Sequence, residues 1–358
     1  MNDVVRRGAA ALLRPSASPP RLAVATQAAL AMALAVGVPA LLGRTDLGLL
    51  ASAGALTALY LASRARRERA RRLPLLQAGF LVAAVIGWLS AASPFAPLVL
   101  ALVTVAAAVL TLGFSVGPPG AVFVVLVAGV TGRLTAPPAA AGVGLDPLLV
   151  IGMEALGCAL AYAIAVLPLA VPAVRRREAA LPVTPLRFAI DSTTRVVLIR
   201  IAVGAGIAAG VGALLGLHRS YWVLLAVVAV LQAGRSRRMT ALRGVHRALG
   251  TLVGVAAFAL LALVPLPGVL LALVVAALQF VTELVVVRHY GLALVFITPL
   301  ALTVAEAGSA GPVSPLILDR VVDTALGAAV ALAVLVVDLA VERTVARRRR
   351  VLVDLWTR

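Results

Sequence analysis

The chain has 358 residues, of which 62% are hydrophobic and only 13% are charged, and its formal net charge is +18. Soluble domains are about half apolar and about a quarter charged, so a water-soluble fold of this length could not bury so much apolar surface and the bilayer must be its solvent. Every basic residue is an arginine, and the arginines form short runs between apolar stretches, which favours a lipid partner and excludes a nucleic-acid-binding module.

Twelve apolar stretches follow one another along the chain, after an amino-terminal arm at 1–21. A helix needs about 20 apolar residues to cross the hydrocarbon core of a bilayer. We therefore predict an all-α, polytopic transmembrane fold of about twelve helices. The predicted spans are 22–43, 47–63, 74–91, 95–113, 117–132, 147–173, 196–217, 220–234, 248–264, 268–286, 289–306 and 318–340.

The arginines are distributed unequally between the two sides of the membrane that this threading defines. One side carries 27 arginines, including those of both termini, and the other carries four. Because cytoplasmic segments are rich in basic residues, we expect a multi-pass protein of the cell membrane with both termini in the cytoplasm. The basic tail at 341–358 is predicted to form an amphipathic helix on the anionic cytoplasmic leaflet.

The two halves of the chain share a pattern. Residues 37–43 read GVPALLG and residues 210–216 read GVGALLG, and in each half a short span and an arginine-dense segment follow. An offset near 170 residues also aligns Gly79 with Gly250 and Gly157 with Gly327. This predicts two parallel six-helix repeats, a pseudo-dimer, at 22–173 and 196–340, joined by a cytoplasmic linker at 174–195.

Groupings of residues typical of catalysis or metal binding are missing from the sequence. There is no lysine for a phosphate-binding loop, and the three histidines and the single cysteine are far apart. We expect no enzymatic activity, no metal site and no cofactor.

The second half contains motifs with a family resemblance. Ser220-Tyr221-Trp222 opens one span, Arg247-x-x-Gly250-Thr251-x-x-Gly254 opens another, and Asp319-Arg320-x-x-Asp323-Thr324-x-x-Gly327 opens the last. The chain resembles the fusaric acid resistance protein-like (FUSC) family of the aromatic acid exporter superfamily, to which the plant aluminium-activated malate transporters are distantly similar. In the first half Gly48-Leu49 replaces Tyr-Trp, and Leu76 stands at the position of Arg247. The resemblance implies efflux or conductance of organic anions, such as aromatic carboxylates.

Three arginines near helix ends are candidates for the substrate path, because a guanidinium group binds a carboxylate bidentately. They are Arg247, Arg320 and Arg200. Alternatives remain open for each of them. Arg200 would snorkel to the interface, Arg247 would serve as a cytoplasmic anchor, and Arg320 would pair with Asp319 or Asp323.

Acidic side chains within spans are candidates for proton coupling, because a carboxylate in the membrane is costly unless it has a function or a partner. Glu154 and Asp323 qualify, and the repeat aligns them within one residue. The alternative for Asp323 is an ion pair with Arg320 on the same helix face. Glu283 is expected to pair locally with Arg288.

Tyr221 and Trp222 are placed at the outer interface, either as an aromatic belt or as a platform for an aromatic substrate. Gly250, Gly254 and Gly327 are predicted helix-packing positions. Short or proline-containing spans at matching positions of two repeats indicate a transport path. That criterion selects 47–63, 117–132, 220–234 and 289–306.

The sequence therefore predicts a transporter that exports organic anions. A passive anion channel and a membrane scaffold that transports nothing are alternatives from other functional classes. A carrier of the major facilitator type is disfavoured, because the segment at 64–72 does not carry that family's Gly-x-x-x-Asp-Arg-x-Gly-Arg-like signature. A homo-oligomer is compatible with the sequence.

Overall fold

The protein is described by a computed structural model that covers residues 18, 21–183, 185–217, 219–305 and 313–356. Within these ranges there are thirteen α-helices and no β-strand. The predicted all-α, polytopic membrane fold is therefore confirmed. The amino-terminal arm predicted at 1–21 lies almost wholly outside the described residues.

The helices follow the predicted spans closely, with one additional short helix, α7, in the linker. The first unit contains α1 (Leu22–Leu41), α2 (Thr45–Ala55, continued by a 3-10 turn to Leu59), α3 (Arg66–Ser90), α4 (Ala96–Gly113), α5 (Val122–Thr135) and α6 (Pro147–Val166). After α7 (Pro172–Ala179) come α8 (Ser192–Leu214), α9 (Tyr221–Leu231), α10 (Arg237–Leu261), α11 (Gly268–Val285), α12 (Tyr290–Ala305) and α13 (Val313–Trp356).

Eight of these helices are long and apolar enough to cross a membrane, namely α1, α3, α4, α6, α8, α10, α11 and α13. The other four apolar helices, α2, α5, α9 and α12, are shorter. Such helices are tolerated at membrane depth where protein surrounds them. This holds for α9, in which all eleven residues are buried.

Two arginine-rich segments predicted as loops are helical in the structure. α3 begins at Arg66 and α10 at Arg237, so both helices carry arginines in their first turns. The predicted tail is likewise continuous with the last span, because α13 runs without a break to Trp356. Arginine is a good helix former, and neither Gly nor Pro occurs between 340 and 356 to end the helix.

Glycines allow the backbones of neighbouring helices to approach closely. A methyl group at Gly250 would clash with the carbonyl oxygen of Gly291, and one at Gly254 would clash with Thr298, so both glycines lie where α10 crosses α12. Gly327 lies in the same way against Val223, where α13 crosses α9. Small residues at crossings gain van der Waals contact, which is a principal attraction between helices in lipid.

Gly250→Ala should destabilise the folded protein by about 1–3 kcal/mol, because the added methyl group overpacks the crossing of α10 and α12 against backbone atoms. The matched control is Gly79→Ala. Gly79 occupies the aligned position of the first half, but nothing lies within 4 Å of the place where its methyl group would be. Thermal unfolding in detergent should show a lower midpoint for Gly250→Ala alone. Equal midpoints would contradict this account of the crossing.

Candidate anion-binding cavity

A cavity of about 400 Å³ lies between the two halves of the helical bundle. All four short helices, α2, α5, α9 and α12, contribute to its wall. The loop at 117–120 and residues of α1, α4, α10, α11 and α13 also contribute to the wall. The cavity thus lies beside the four segments that the sequence selected for the transport path.

Arg320 and Trp222 form one wall of the cavity. Arg320 is 1% exposed, and its guanidinium carbon lies 3.8 Å from the centre of the Trp222 ring. Within the described residues, none of the three guanidinium nitrogens has a hydrogen-bond partner, and neither does Nε1 of Trp222. A buried cation without a hydrogen bond or an ion pair is unfavourable, so this position is suited to an anion supplied from outside the protein.

A second group of cations faces the same cavity from α10. Arg247 is 4% exposed and donates from Nη1 to the hydroxyl of Tyr290 at 2.9 Å, while its Nε and Nη2 have no partner. Arg243 lies over the Tyr290 ring, with its guanidinium carbon 4.2 Å from the ring centre. Arg247 and Arg320 are close enough to interact electrostatically. The cavity therefore has an excess of positive charge.

At its other end the cavity wall is electrically neutral. Arg21 pairs with Glu283 at 3.3 Å, and Gln279 donates to the same carboxylate at 3.4 Å. The local pair of Glu283 with Arg288 expected from the sequence is wrong, because Arg288 donates instead to the backbone oxygen of Ser18 at 3.1 Å. Arg21 and Glu283 are 262 positions apart, so their pairing cannot be inferred from the spacing of residues along one helix.

The loop at 117–120 is held against the cavity by side chains from both halves. Gln232, at the end of α9, donates to the carbonyl of Pro119 at 3.0 Å, and Tyr60 donates to the carbonyl of Gly120 at 2.7 Å. Much of the remaining wall is apolar and includes Met32, Leu56, Phe123, Leu225 and Leu300. Apolar walls with a few convergent polar groups are typical of a small-molecule site.

Among the predicted path residues, Arg247, Arg320 and Trp222 line this cavity, but Arg200 does not. Arg200 is 3% exposed and donates to the Asp338 carboxylate at 2.8 Å and to the carbonyl of Arg235 at 3.2 Å. Arg237 binds the same carboxylate at 2.8 Å. Arg200 thus belongs to an ion-pair network between α8 and α13 and does not snorkel.

Tyr221 and Trp222 are both buried, so they do not form an exposed aromatic belt. The centre of the Tyr221 ring lies 5.0 Å from that of Trp222, and Tyr221 packs against Gly129 of α5. Tyr221 does not line the cavity. It supports Trp222 from behind.

Neither of the predicted proton-coupling carboxylates, Glu154 and Asp323, lines the cavity. Both are buried. The expected pairing of Arg320 with Asp319 or Asp323 is absent, because Arg219 pairs with Asp319 at 3.1 Å and Arg320 has no partner.

The sequence analysis missed Arg243 and Tyr290 as cavity residues. Arg243 could have been found, since it precedes Arg247 by four positions and therefore lies on the same helix face. Tyr290 follows Arg288 and His289 at the start of a span, which by itself indicates only an interfacial aromatic side chain.

Comparison with known proteins supports the resemblance drawn from the motifs. Residues 207–334 match the family described as fusaric acid resistance protein-like. An uncharacterized membrane protein of Bacillus subtilis (strain 168), YvaC, is 35% identical over 119 residues, which are 33% of this chain and 18% of that protein. The chain therefore spans about a fifth of that relative. No solved structure gives a significant match.

The matched region contains α9 to α12 completely, together with Trp222, Arg247 and Arg320. The similarity to aluminium-activated malate transporters stays a prediction. This chain is a multi-pass membrane protein whose residues 207–334 resemble the fusaric acid resistance protein-like family.

Proposed function

We propose that this protein transports organic carboxylate anions across the cell membrane, with aromatic carboxylates as the preferred substrates and export as the direction. The single observation that carries the proposal is the buried guanidinium group of Arg320, which makes no hydrogen bond to a described residue and lies on Trp222 at the wall of a 400 Å³ cavity. Trp222 covers one face of the guanidinium group, whose three nitrogens are buried and make no hydrogen bond to a described residue.

A carboxylate in this cavity would accept charge-assisted hydrogen bonds from Arg320, and these are the stronger class of hydrogen bond. Arg247 offers a second set of N–H donors at Nε and Nη2. An aromatic body would lie against Phe123, Trp222 and the apolar side chains of α2, α5 and α12. Ring and carboxylate would thus contact different parts of the wall.

The arrangement of helices supports a carrier built from two six-helix repeats. The contacts of α2 with α6, α3 with α5 and α1 with α11 recur as contacts of α9 with α13, α10 with α12 and α8 with α4. A cavity between such repeats is where alternating-access carriers bind their substrates. With both termini in the cytoplasm, the arginine-rich side would attract anions from the cytoplasm.

The test is transport by the purified protein in liposomes loaded with a panel of aromatic and aliphatic carboxylates. We expect saturable release of aromatic carboxylates, accelerated by unlabelled anion on the opposite side, because exchange is typical of a carrier. Trp222→Leu should reduce the preference for aromatic over aliphatic anions. Trp88→Leu is the control, since Trp88 lies on α3 and is not part of the cavity wall.

Each alternative function gives a different outcome. An anion current that is linear in the gradient and shows no exchange would indicate a channel. No release of any anion, together with no binding by calorimetry, would contradict the transporter proposal and favour a scaffold. Unchanged selectivity in Trp222→Leu would contradict the binding geometry.

A further inference from the structure

A second polar cluster is buried within the first half, apart from the cavity. Glu154 of α6 is 1% exposed, and its Oε1 accepts a hydrogen bond of 2.6 Å from the hydroxyl of Thr131 on α5. Its Oε2 is buried without any partner. One turn further along α6, Gln77 of α3 donates to the carbonyl of Cys158 at 2.7 Å and to the hydroxyl of Thr57 at 2.9 Å.

Among the described residues, no cation forms an ion pair with Glu154. The hydrogen bonds of this cluster are made by Thr57 of α2, Gln77 of α3 and Thr131 of α5, all of them uncharged. Cys158 is the titratable group that interacts with Glu154. A carboxylate with one hydroxyl donor and no cation is poorly stabilised in an apolar interior, so the neutral, protonated form is favoured in this conformation.

Asp323, the aligned acidic residue of the second half, has a different environment. Arg320, Arg219 and Asp319 all act on it electrostatically. A change at Asp323 would therefore also alter the environment of the cavity arginine Arg320. Glu154 has no such connection and is the simpler candidate for binding a proton.

Glu154 lies directly behind the wall of the cavity. Its partner Thr131 follows the wall residue Val130, and Gly54, which packs against the backbone of Glu154, follows the wall residue Ala53. α2 and α6 meet closely there, because a methyl group at Gly54 or at Gly157 would clash with the backbone of the opposite helix. Any movement of α2 or α5 that opens the cavity would alter access of water to Glu154.

We propose that Glu154 is the proton-binding site that couples a proton gradient to movement of the anion bound in the cavity. The proton binds at Oε2, the buried oxygen without a described partner, and gives a neutral carboxyl group. It leaves to water when α2 and α5 move apart, and the carboxylate is regenerated. This inference rests on the proposed transport function and names its source of energy.

The experiment compares two assays on the same liposomes, namely exchange of labelled against unlabelled aromatic carboxylate and accumulation driven by an imposed pH gradient. Glu154→Gln should keep exchange at the wild-type rate and lose gradient-driven accumulation completely. Glu342→Gln removes an exposed carboxylate from α13 and should keep both activities. Thr131→Val removes the hydrogen bond but keeps the carboxyl group, so it should still respond to the gradient.

Infrared difference spectroscopy on the purified protein gives a readout that is independent of transport. A carbonyl stretch of a buried protonated carboxyl group should be present in the wild type and in Thr131→Val and absent in Glu154→Gln. If gradient-driven accumulation persists in Glu154→Gln, or if the band does not depend on Glu154, the proposal is overturned. Failure of exchange in the wild type would instead count against the transport function itself, while the infrared band would still decide whether Glu154 binds a proton.

Discussion

Arg320→Met should raise the thermal stability of the empty protein and strongly reduce its stabilisation by an aromatic carboxylate. The wild-type side chain places a charge in the interior without a hydrogen bond to any described residue. The penalty for such a charge is several kcal/mol, whereas its stacking on Trp222 returns about 0.5–2 kcal/mol. The desolvation penalty is the larger quantity, so an apolar side chain of similar length should be more favourable.

The effect on binding should be opposite in sign. Loss of charge-assisted hydrogen bonds worth about 1.5–3 kcal/mol corresponds to a roughly 10- to 100-fold weaker affinity. Thermal unfolding with and without ligand measures both effects on one sample. When a variant no longer binds its ligand, misfolding is the usual alternative explanation. A misfolded variant would not have a higher unfolding midpoint, so a higher midpoint together with reduced ligand stabilisation excludes that explanation.

Two variants define the controls for this experiment. Arg219→Met removes an arginine that pairs with Asp319 outside the cavity, so the stabilisation by ligand should be retained. Arg320→Lys keeps the charge but loses the planar, bidentate group, so binding should be intermediate. Wild-type ligand stabilisation in Arg320→Met would show that the anion binds elsewhere.

The positions of the helices could be predicted from the sequence, because an apolar stretch or a run of arginines indicates the structure of its own segment. The same local signals identified the short segments around the cavity, and they identified Arg247, Arg320 and Trp222 from their motifs. Contacts between distant residues could not be predicted. Trp222 and Arg320 are 98 positions apart, and no spacing rule places one over the other.

The repeat pattern also concealed a difference between the halves. Apart from Arg21, the arginines of the cavity come from the second half, while the first half contributes apolar side chains and the loop at 117–120. The substitution of Leu76 at the position of Arg247 already indicated this asymmetry. The structure adds that Gln77 supports an uncharged cluster near Glu154. The second half thus places most of the charge on the cavity wall, and the first half places mainly apolar side chains there.

Asp338→Asn should destabilise the folded protein by about 3 kcal/mol, near the lower limit for breaking a buried ion pair by removing one partner. The Asp338 carboxylate accepts from Arg200 at 2.8 Å and from Arg237 at 2.9 Å, and it joins α13 to α8 and α10. Arg200 is almost fully buried, so loss of the carboxylate would leave an uncompensated charge inside the bundle. A denaturation midpoint in detergent measures the loss.

Glu342→Gln is the matched control, because Glu342 is 60% exposed at its side chain and, among the described residues, pairs with Arg237. Exposed pairs contribute about 0–1 kcal/mol, so its midpoint should stay near that of the wild type. Arg200→Met should also have a small effect, since Asp338 keeps Arg237 as its partner. Adding Arg200→Met to Asp338→Asn should recover most of the lost stability, because the stranded charge is then removed.

The same variants distinguish two roles of Arg200. One is the structural role in the ion-pair network, and the other is the role in the substrate path that its position in the sequence indicated. Arg200 does not line the cavity, so Arg200→Met should bind aromatic carboxylates with wild-type affinity. A folded Arg200→Met protein that no longer binds would contradict the placement of the site. A charge that the substrate requires cannot be removed without loss of affinity. Retained binding in Arg200→Met, together with recovered stability in the double variant, would therefore assign Arg200 to the ion-pair network.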